Sequence, residues 1–347
     1  MRLTTEKVGT WLSSTGPDSD VVVATRVRLA RNLADVPFSP KARASDRDRV
    51  VDTVRWALQD LGYLQEGQFF DDEQLAEPNG QFFVERHLAS PDFLSAQGRR
   101  GLFVSHDETV SLMVNEEDHL RFQVLASGLD FVTSFGKAAA LDEKLEGQLA
   151  YAFSPEFGFL TTCPTNVGTA MRASVLVHLP ALVFTQEIEK VLRGALHIGL
   201  AVRGLYGEGT ETRGNFFQIS NQRTLGQSES EIIETITDIC RQIVDYERKA
   251  RDYLVRNARV ELEDKVFRSL ALLKGARVIS SDEATNLLAT VRLGVALGFI
   301  NELSLAEVGR LLILIRPANL QVMLEERLEP SERDERRATF IRQALVH

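Results

Sequence analysis

Apolar and polar residues alternate along residues 21–29. On an extended chain this puts Val23, Thr25, Val27 and Leu29 on one face and Arg26 and Arg28 on the other. The period then changes. Val50, Val54, Leu58 and Leu61 recur at helical spacing and predict an amphipathic helix over 45–61. Short apolar runs predict strands at 81–85, 102–105 and 110–114, followed by a helix at 137–149. Strands are also predicted at 159–162, 171–179, 195–202 and 215–220, with a helix at 186–193 after Pro180. A long helical pattern runs from Ser228 to about residue 260. Beyond it the chain reads as almost wholly helical, at 262–273, 282–297, 305–315 and 333–345.

Strands therefore gather in the first part of the chain and helices in the last, which predicts an α+β class. The expected division is a short N-terminal extension (1–20), a catalytic region (21–254) and a small all-helical region (255–347). At 347 residues the chain suits one large domain or two smaller ones. The net charge of −9 and pI near 5.4 argue against a general nucleic-acid binder, including a DNA-binding role for the helical tail. An anionic ligand must then meet a local cluster of arginines. The two cysteines, Cys163 and Cys240, form neither a disulfide framework nor a zinc pattern, so a reducing cytoplasm is expected. Residues 1–20 lack the apolar core of a signal peptide. The most apolar stretch, 287–300, is interrupted by Arg292 and is too short to span a bilayer.

Four blocks concentrate the chemistry: Ala24-Thr-Arg-Val-Arg-Leu-Ala-Arg-Asn32, Val114-Asn-Glu-Glu-Asp-His-Leu-Arg121, Thr162-Cys-Pro-Thr-Asn-Val-Gly-Thr-Ala-Met-Arg-Ala-Ser174 and a Gly-rich stretch from Arg203 to Gly226. Familiar nucleotide motifs are missing. Gly128 and Gly136-Lys137 lack Walker A spacing, and Thr212 occupies the place of the third glycine in a dinucleotide fingerprint. The chain also lacks the His-Arg-Asp and Asp-Phe-Gly set and the His-Glu-x-x-His signature. In their order, the four blocks resemble the ATP:guanidino phosphotransferases. Arg203-Gly-Leu-Tyr-Gly-Glu208 and Gln218-Ile-Ser-Asn-Gln222 are most similar to the bacterial protein-arginine kinases of that family.

The resemblance implies an antiparallel sheet flanked by helices, followed by a small helical phosphoarginine-binding domain. It implies ATP as phosphoryl donor, with Mg²⁺ carried on the ATP. Fixed positive charge around the phosphates suits such a transfer, because a guanidinium keeps its charge and binds phosphate bidentately. By resemblance the clamping arginines are Arg26, Arg28, Arg121, Arg172 and Arg203. The implied ATP-binding segments are Ala24, Thr25, Arg26, Val27 and Arg28; Arg172, Ala173, Ser174, Val175 and Leu176; and Arg203, Gly204, Leu205, Tyr206, Gly207 and Glu208. His87 matches a position near the nucleotide.

A guanidinium nucleophile is protonated and delocalised, so carboxylates must hold it and help remove a proton. The resemblance assigns this to Glu117 and Glu208, with Glu117 as base and Cys163 as a neighbouring tuning group. It leaves Glu116 and Asp118 to orient magnesium-bound water, with no direct protein ligand to the metal.

Small-molecule guanidino kinases carry a helical domain before the first arginine block. Only about twenty residues precede Val21 here, so a site without that lid, open to an arginine on a protein chain, is expected. Leu205 and Tyr206 replace the Thr and Arg typical of those enzymes. In the tail, Arg333-Asp-Glu-Arg-Arg-Ala338 matches an Arg-Asp-x-x-Arg-Ala motif that implies an allosteric phosphoarginine pocket of Arg333, Asp334, Arg336, Arg337 and Ala338. On a helix, Arg333 and Arg337 share a face and would clasp a phosphate; the alternative is a salt-bridged surface helix capped by Ser331. The expected function is protein-arginine phosphorylation in stress response, with a zinc-binding activator protein, a Clp-type protease and a homodimer as partners. The rivals are a kinase for free arginine or a similar metabolite and a catalytically silent phosphoarginine-binding adaptor.

Overall fold

The structure, a computed structural model, describes residues 8–204 and 213–345. Its strands are β1 (Val22–Arg31), β2 (Gly67–Asp71), β3 (Gly101–Ser105), β4 (Val110–Val114), β5 (Leu120–Ser127), β6 (Phe153–Ser154), β7 (Gly158–Phe159), β8 (Met171–His178), β9 (Leu200–Gly204) and β10 (Phe216–Asn221). Its helices are α1 (Ala44–Asp60), α2 (Tyr63–Glu66), α3 (Asn79–Glu85), α4 (Pro91–Ser95), α5 (Phe131–Glu146), α6 (Pro180–Phe184), α7 (Ile188–His197), α8 (Glu229–Asn257), α9 (Arg259–Gly275), α10 (Ser281–Ala296), α11 (Leu305–Leu314), α12 (Pro317–Leu324) and α13 (Pro330–Ala344).

Among the described residues, eight strands form one sheet in the order β2-β3-β4-β5-β1-β8-β10-β9, each pair antiparallel. The alternation read from the sequence holds in β1 from Ala24 to Leu29, but a bulge between Val22 and Ala24 puts Val22 in the core layer and packs Val23, expected on the face of Val27, against the other side. Val27 and Leu29 join Phe122, Val124, Ala173, Val175, Phe217 and Ile219 in one apolar layer. Val50 and Val54 of α1, Ala138 and Leu141 of α5, and Ile232, Ile236 and Ile243 of α8 cover that layer. Each large aliphatic or aromatic side chain fully buried there contributes about 1.5–3 kcal/mol.

The other face carries the arginines. It is covered only in part, by Trp11, Phe82, Phe83, Leu88 and Phe93, and by Ile313 and Ala318 from the helical region. The helical region has its own core, built from Val266, Leu270, Leu288, Val291, Val308, Leu311, Ala338 and Ile341. The chain turns at Ala258, so the division expected after residue 254 falls inside the last turn of α8.

Several elements differ from expectation. Residues 81–85 form helix rather than strand: Phe82, Phe83 and Glu85 are all buried, which alternation cannot achieve. Residues 195–202 divide, because α7 continues to His197 and Gly199, at φ +86°, turns the chain into β9. The helix expected at 137–149 begins at Phe131, where the Asp130 carboxylate accepts from the Thr133 amide at 3.0 Å. At 159–162 only Gly158–Phe159 is strand. The strands β2, β5 and β6 and the helices α2, α4, α6 and α12 have no counterpart among the expected elements. Ser331 is not the cap of α13; the helix starts at Pro330 with Glu329 before it.

Candidate active site

The register of the sheet assembles the arginines. Arg28 lies opposite Arg172 on β8 and Gln123 on β5, and Ala30 lies opposite Arg121. Arg26 lies opposite Ser174, which faces Ser220, while Gln218 stands between Leu176 and Arg203. Directly paired residues share a face. Arg121, Arg28, Arg26, Arg172 and Arg203 therefore project from one face of five consecutive strands, β5-β1-β8-β10-β9, with β10 supplying polar spacers instead of a cation.

Those spacers hold the guanidinia. Arg26 donates to Gln218 Oε1 at 3.0 Å, and Arg172 donates to Ser220 Oγ at 3.1 Å. Burial, then Arg172 and Arg121, lowers the Arg26 pKa to about 10. Burial, then Arg26, Arg121 and Arg172, pushes Arg28 well below its ordinary value, opposed by Glu116. Burial, then Arg203 and Arg121, lowers Arg172. A guanidinium keeps its proton in proteins, so these shifts reflect a desolvated, mutually repelling cluster that a bound anion relieves.

The acidic loop lies at the end of this face. Between β4 and β5, Glu116, Asp118 and His119 are buried and Glu117 is exposed. Glu116 accepts from Ser90 Oγ at 2.5 Å and pairs with Arg121. The Arg121 guanidinium also lies 3.7 Å from Glu117. Burial, then Asp118, raises the Glu117 pKa against the pull of Arg121. Asp118 Oδ1 accepts from Asn32 Nδ2 at 2.7 Å and from the Thr162 amide at 2.7 Å. It thereby fixes the segment that carries Cys163, whose Sγ lies 3.0 Å from Thr165 Oγ1. His119 accepts at Nδ1 from the Leu33 amide and lies 3.1 Å from the Pro37 carbonyl through Nε2, which completes the loop's anchorage.

A cleft at the β1–β8 end of the face is lined by Trp11, Ala24, Arg26, His87, Leu176 and Gln218. His87 has φ +60° and meets Trp11 edge to face, with centroids 5.8 Å apart. Burial, then Arg26 and Arg316, depresses its pKa to about 3. It is a neutral ring at physiological pH.

The structure thus brings Arg26, Arg28, Arg121, Arg172, Arg203, Ser174, Leu176, Ala24, His87, Glu116 and Glu117 to one face or its rim. Thr25, Val27, Ala173 and Val175 alternate onto the core side, so their side chains are removed from the site. Thr25 instead donates to the Gly128 carbonyl at 2.7 Å. Gly204 ends β9; Leu205, Tyr206, Gly207 and Glu208 lie outside the described residues. Gln218, Ser220, Trp11 and Asn32 join the site without being expected there. The two-residue spacing of Gln218 and Ser220, alternating with apolar Phe217 and Ile219, is the available signal for the first pair.

The tail motif is only partly as expected. Arg337 is buried at 1 % exposure, donating to the carbonyls of Ile315 (2.8 Å) and Ile279 (2.9 Å) and pairing with Asp334. It does not share an open face with Arg333. Ala338 packs in the helical core, and exposed Arg336 pairs with Glu326 at 3.2 Å. Among the described residues no helix is long and apolar enough to cross a membrane, and no group of three or more His, Cys, Asp or Glu side chains is placed to hold a metal ion.

Residues 49–250 match the ATP:guanido phosphotransferase family, C-terminal catalytic domain, and the chain belongs to that family. Residues 259–347 match the protein-arginine kinase McsB C-terminal domain, which places the chain with the protein-arginine kinases of the family. It is 44 % identical over 338 residues to a protein-arginine kinase of Symbiobacterium thermophilum, covering 96 % of each chain. It is 43 % identical over 349 residues to that of Moorella thermoacetica, covering 100 % of both. Among solved structures, the duplicated taurocyamine kinase of Schistosoma mansoni with bound transition state analog components has a TM-score of 0.60 at 27 % identity, over 67 % of this chain and 34 % of that one. A lombricine kinase shares the fold, with a TM-score of 0.58 at 23 % identity over 70 % of each chain.

Proposed function

We propose that this protein transfers the γ-phosphoryl group of ATP to arginine side chains of proteins. The observation that carries the reading is the row of five guanidinia on one sheet face, ending at the exposed carboxylate of Glu117. The cations hold and neutralise the phosphates, with Arg26 held by Gln218 and Arg172 by Ser220. Glu117, together with Glu208, grips the acceptor guanidinium and aligns a nitrogen with the γ-phosphorus. A nitrogen–phosphorus bond forms as the bond to the β-bridging oxygen breaks. ADP departs with that electron pair, and the displaced guanidinium proton passes to Glu117. Cys163 adds its polarisable sulfur beside the acceptor.

Magnesium is proposed to arrive with the triphosphate and would offset part of its charge; Glu116, already engaged by Ser90 and Arg121, and Asp118 would orient water bound to it. Cys240 is buried in the core, and its thiol is raised well above the ordinary value by burial alone. A reducing cytoplasm suits two unpaired thiols. The tail residues Arg333 and Asp334 form the accessible part of a phosphoarginine pocket. A homodimer, a zinc-binding activator and delivery of marked proteins to a Clp-type protease complete the proposal.

The test is incubation with Mg-ATP and either casein or free arginine, followed by phosphosite mass spectrometry under non-acidic conditions. Arginine phosphorylation of casein is expected. Transfer to free arginine alone would make the chain a metabolite kinase, and transfer to neither would leave only the adaptor reading.

A further inference from the structure

His87 is a non-glycine residue in left-handed backbone. Such a conformation is uncommon outside glycine and persists only where its surroundings over-determine it. The surroundings here belong largely to the helical region. Glu85, 4 % exposed, caps the start of α12: the Ala318 and Asn319 amides donate to its carboxylate at 3.0 and 2.8 Å, and Asn319 Nδ2 donates at 2.9 Å. Pro317 opens that helix without an N–H, so these are its first free donors, and they meet a negative charge at a helix N-terminus.

The next residue is held by the same partner. Arg86, wholly buried, donates from Nε to Asn319 Oδ1 at 2.8 Å and pairs with Glu108. Glu108 accepts from the Gly9 amide at 3.0 Å, two residues before Trp11, whose ring lies against His87. On its far side, His87 offers its carbonyl to Gln123 Nε2. One closed loop of bonds therefore fixes His87 and Trp11 together, and Asn319 closes it.

We infer that Glu85 and Asn319 are positioning residues for the nucleotide: they clasp α12 to the sheet so that His87 and Trp11 form a preset wall for the end of ATP remote from the γ-phosphate. The inference rests on the proposed ATP-dependent activity. A mere docking latch would contribute stability alone. A positioning pair also changes ATP recognition while leaving acceptor recognition alone, because Glu117 and Cys163 lie at the other end of the face.

The experiment uses the full chain, with casein as acceptor and steady-state kinetics in both substrates. Glu85→Gln and Asn319→Ala should each raise the KM for ATP about tenfold, the scale of a lost charge-assisted hydrogen bond, with the KM for casein unchanged. The double variant Glu85→Gln/Asn319→Asp should recover most of the loss. There the introduced side-chain amide can donate to the introduced carboxylate, which still accepts from Arg86. Leu320→Ala, in the fully buried part of α12, supplies the comparison: it lowers the melting temperature without a selective change in ATP KM. His87→Ala should reproduce the ATP effect.

The clasp is overturned as a positioning device if Glu85→Gln and Asn319→Ala fold with normal ATP KM. It is equally overturned if the shift merely follows melting temperature as in Leu320→Ala, or if His87→Ala leaves ATP KM unchanged. Should Glu85→Gln not fold, Asn319→Ala, which retains the backbone donors to Glu85, decides alone. Failure of the activity reading is separate and visible, since the unmodified chain would then phosphorylate no arginine.

Discussion

Arg28 and Arg172 stand directly opposite each other across the β1–β8 ladder, two guanidinia at a position where like charges repel. A sheet selected for stability alone would put an opposite charge or an apolar pair there. The repulsion is retained where an anion resolves it, and it leads to the first prediction. ATP, or inorganic triphosphate, should raise the melting temperature, and Arg172→Ala should stabilise the free chain by ~0.5 kcal/mol while weakening ATP binding. Calorimetry with and without triphosphate checks both signs. Normal ATP affinity in both Arg172→Ala and Arg203→Ala would place the phosphates elsewhere.

Glu117→Gln should reduce phosphoryl transfer by ~10²–10⁴-fold while leaving ATP binding largely intact. Glu208→Gln is expected to behave alike. The Glu117 pKa is raised, first by the partial desolvation of a carboxylate that is still open on one side and then by Asp118, so the neutral acid persists to higher pH than in a free glutamate. The acid limb of kcat against pH should accordingly fall above the ordinary glutamate value of 4.5. A limb at or below that value would remove Glu117 as the base.

Stability should decline on acidification through His87 and His178. Both have folded pKa values depressed by burial, His87 to about 3 and His178 well below the ordinary 6.5. The unfolded chain then binds more protons below pH 6.5, so the stabilisation is complete above that pH and is lost as pH falls toward the folded values. His178 also lies 3.1 Å from the Arg292 guanidinium, which adds to the depression. Chemical denaturation from pH 7 to 4 should show a positive slope that His87→Gln reduces. An unchanged slope would assign the acid sensitivity to other groups.

The tail motif should divide into two kinds of residue. Arg337→Ala removes the donor for two buried carbonyls and should cost ~2–4 kcal/mol in stability. Arg333→Ala combined with Asp334→Ala should instead abolish any response of activity or assembly to free phosphoarginine, while basal transfer survives. The expected coupling of ~1–3 kcal/mol is measurable by titration. An identical response before and after the double substitution would place the effector in the active site as product.

What can be read from the sequence follows a physical boundary. The faces of β1 are legible from Ala24 to Leu29 because the core side imposes a period of two there, whereas the bulge that turns Val23 away has no signal in the pattern; the amphipathic helix at α1 is legible because one side meets the core. The arginines are legible as types and blocks, but only register shows that Arg121 and Arg203 belong to the same face as Arg28. Glu85 and Asn319 have no local signal at all. Their relationship spans more than two hundred residues, and 81–85 reads as strand because Phe82-Phe83-Val84 imitates one. Arg337 is legible as part of a motif but not as a buried donor, since its partners are backbone carbonyls of other elements.

The helical region shares an apolar cluster with the catalytic face through Ile313 and Ala318, packed with Phe82, Leu88 and Leu125. A messenger cut to end at Ala258 would therefore not encode a free-standing kinase. Its product would display Phe82 and Leu125 to water and leave the Glu85 carboxylate without the helix that receives it. The two parts meet in the sequence at a single residue, but they would have to be inherited, expressed and unfolded as one object.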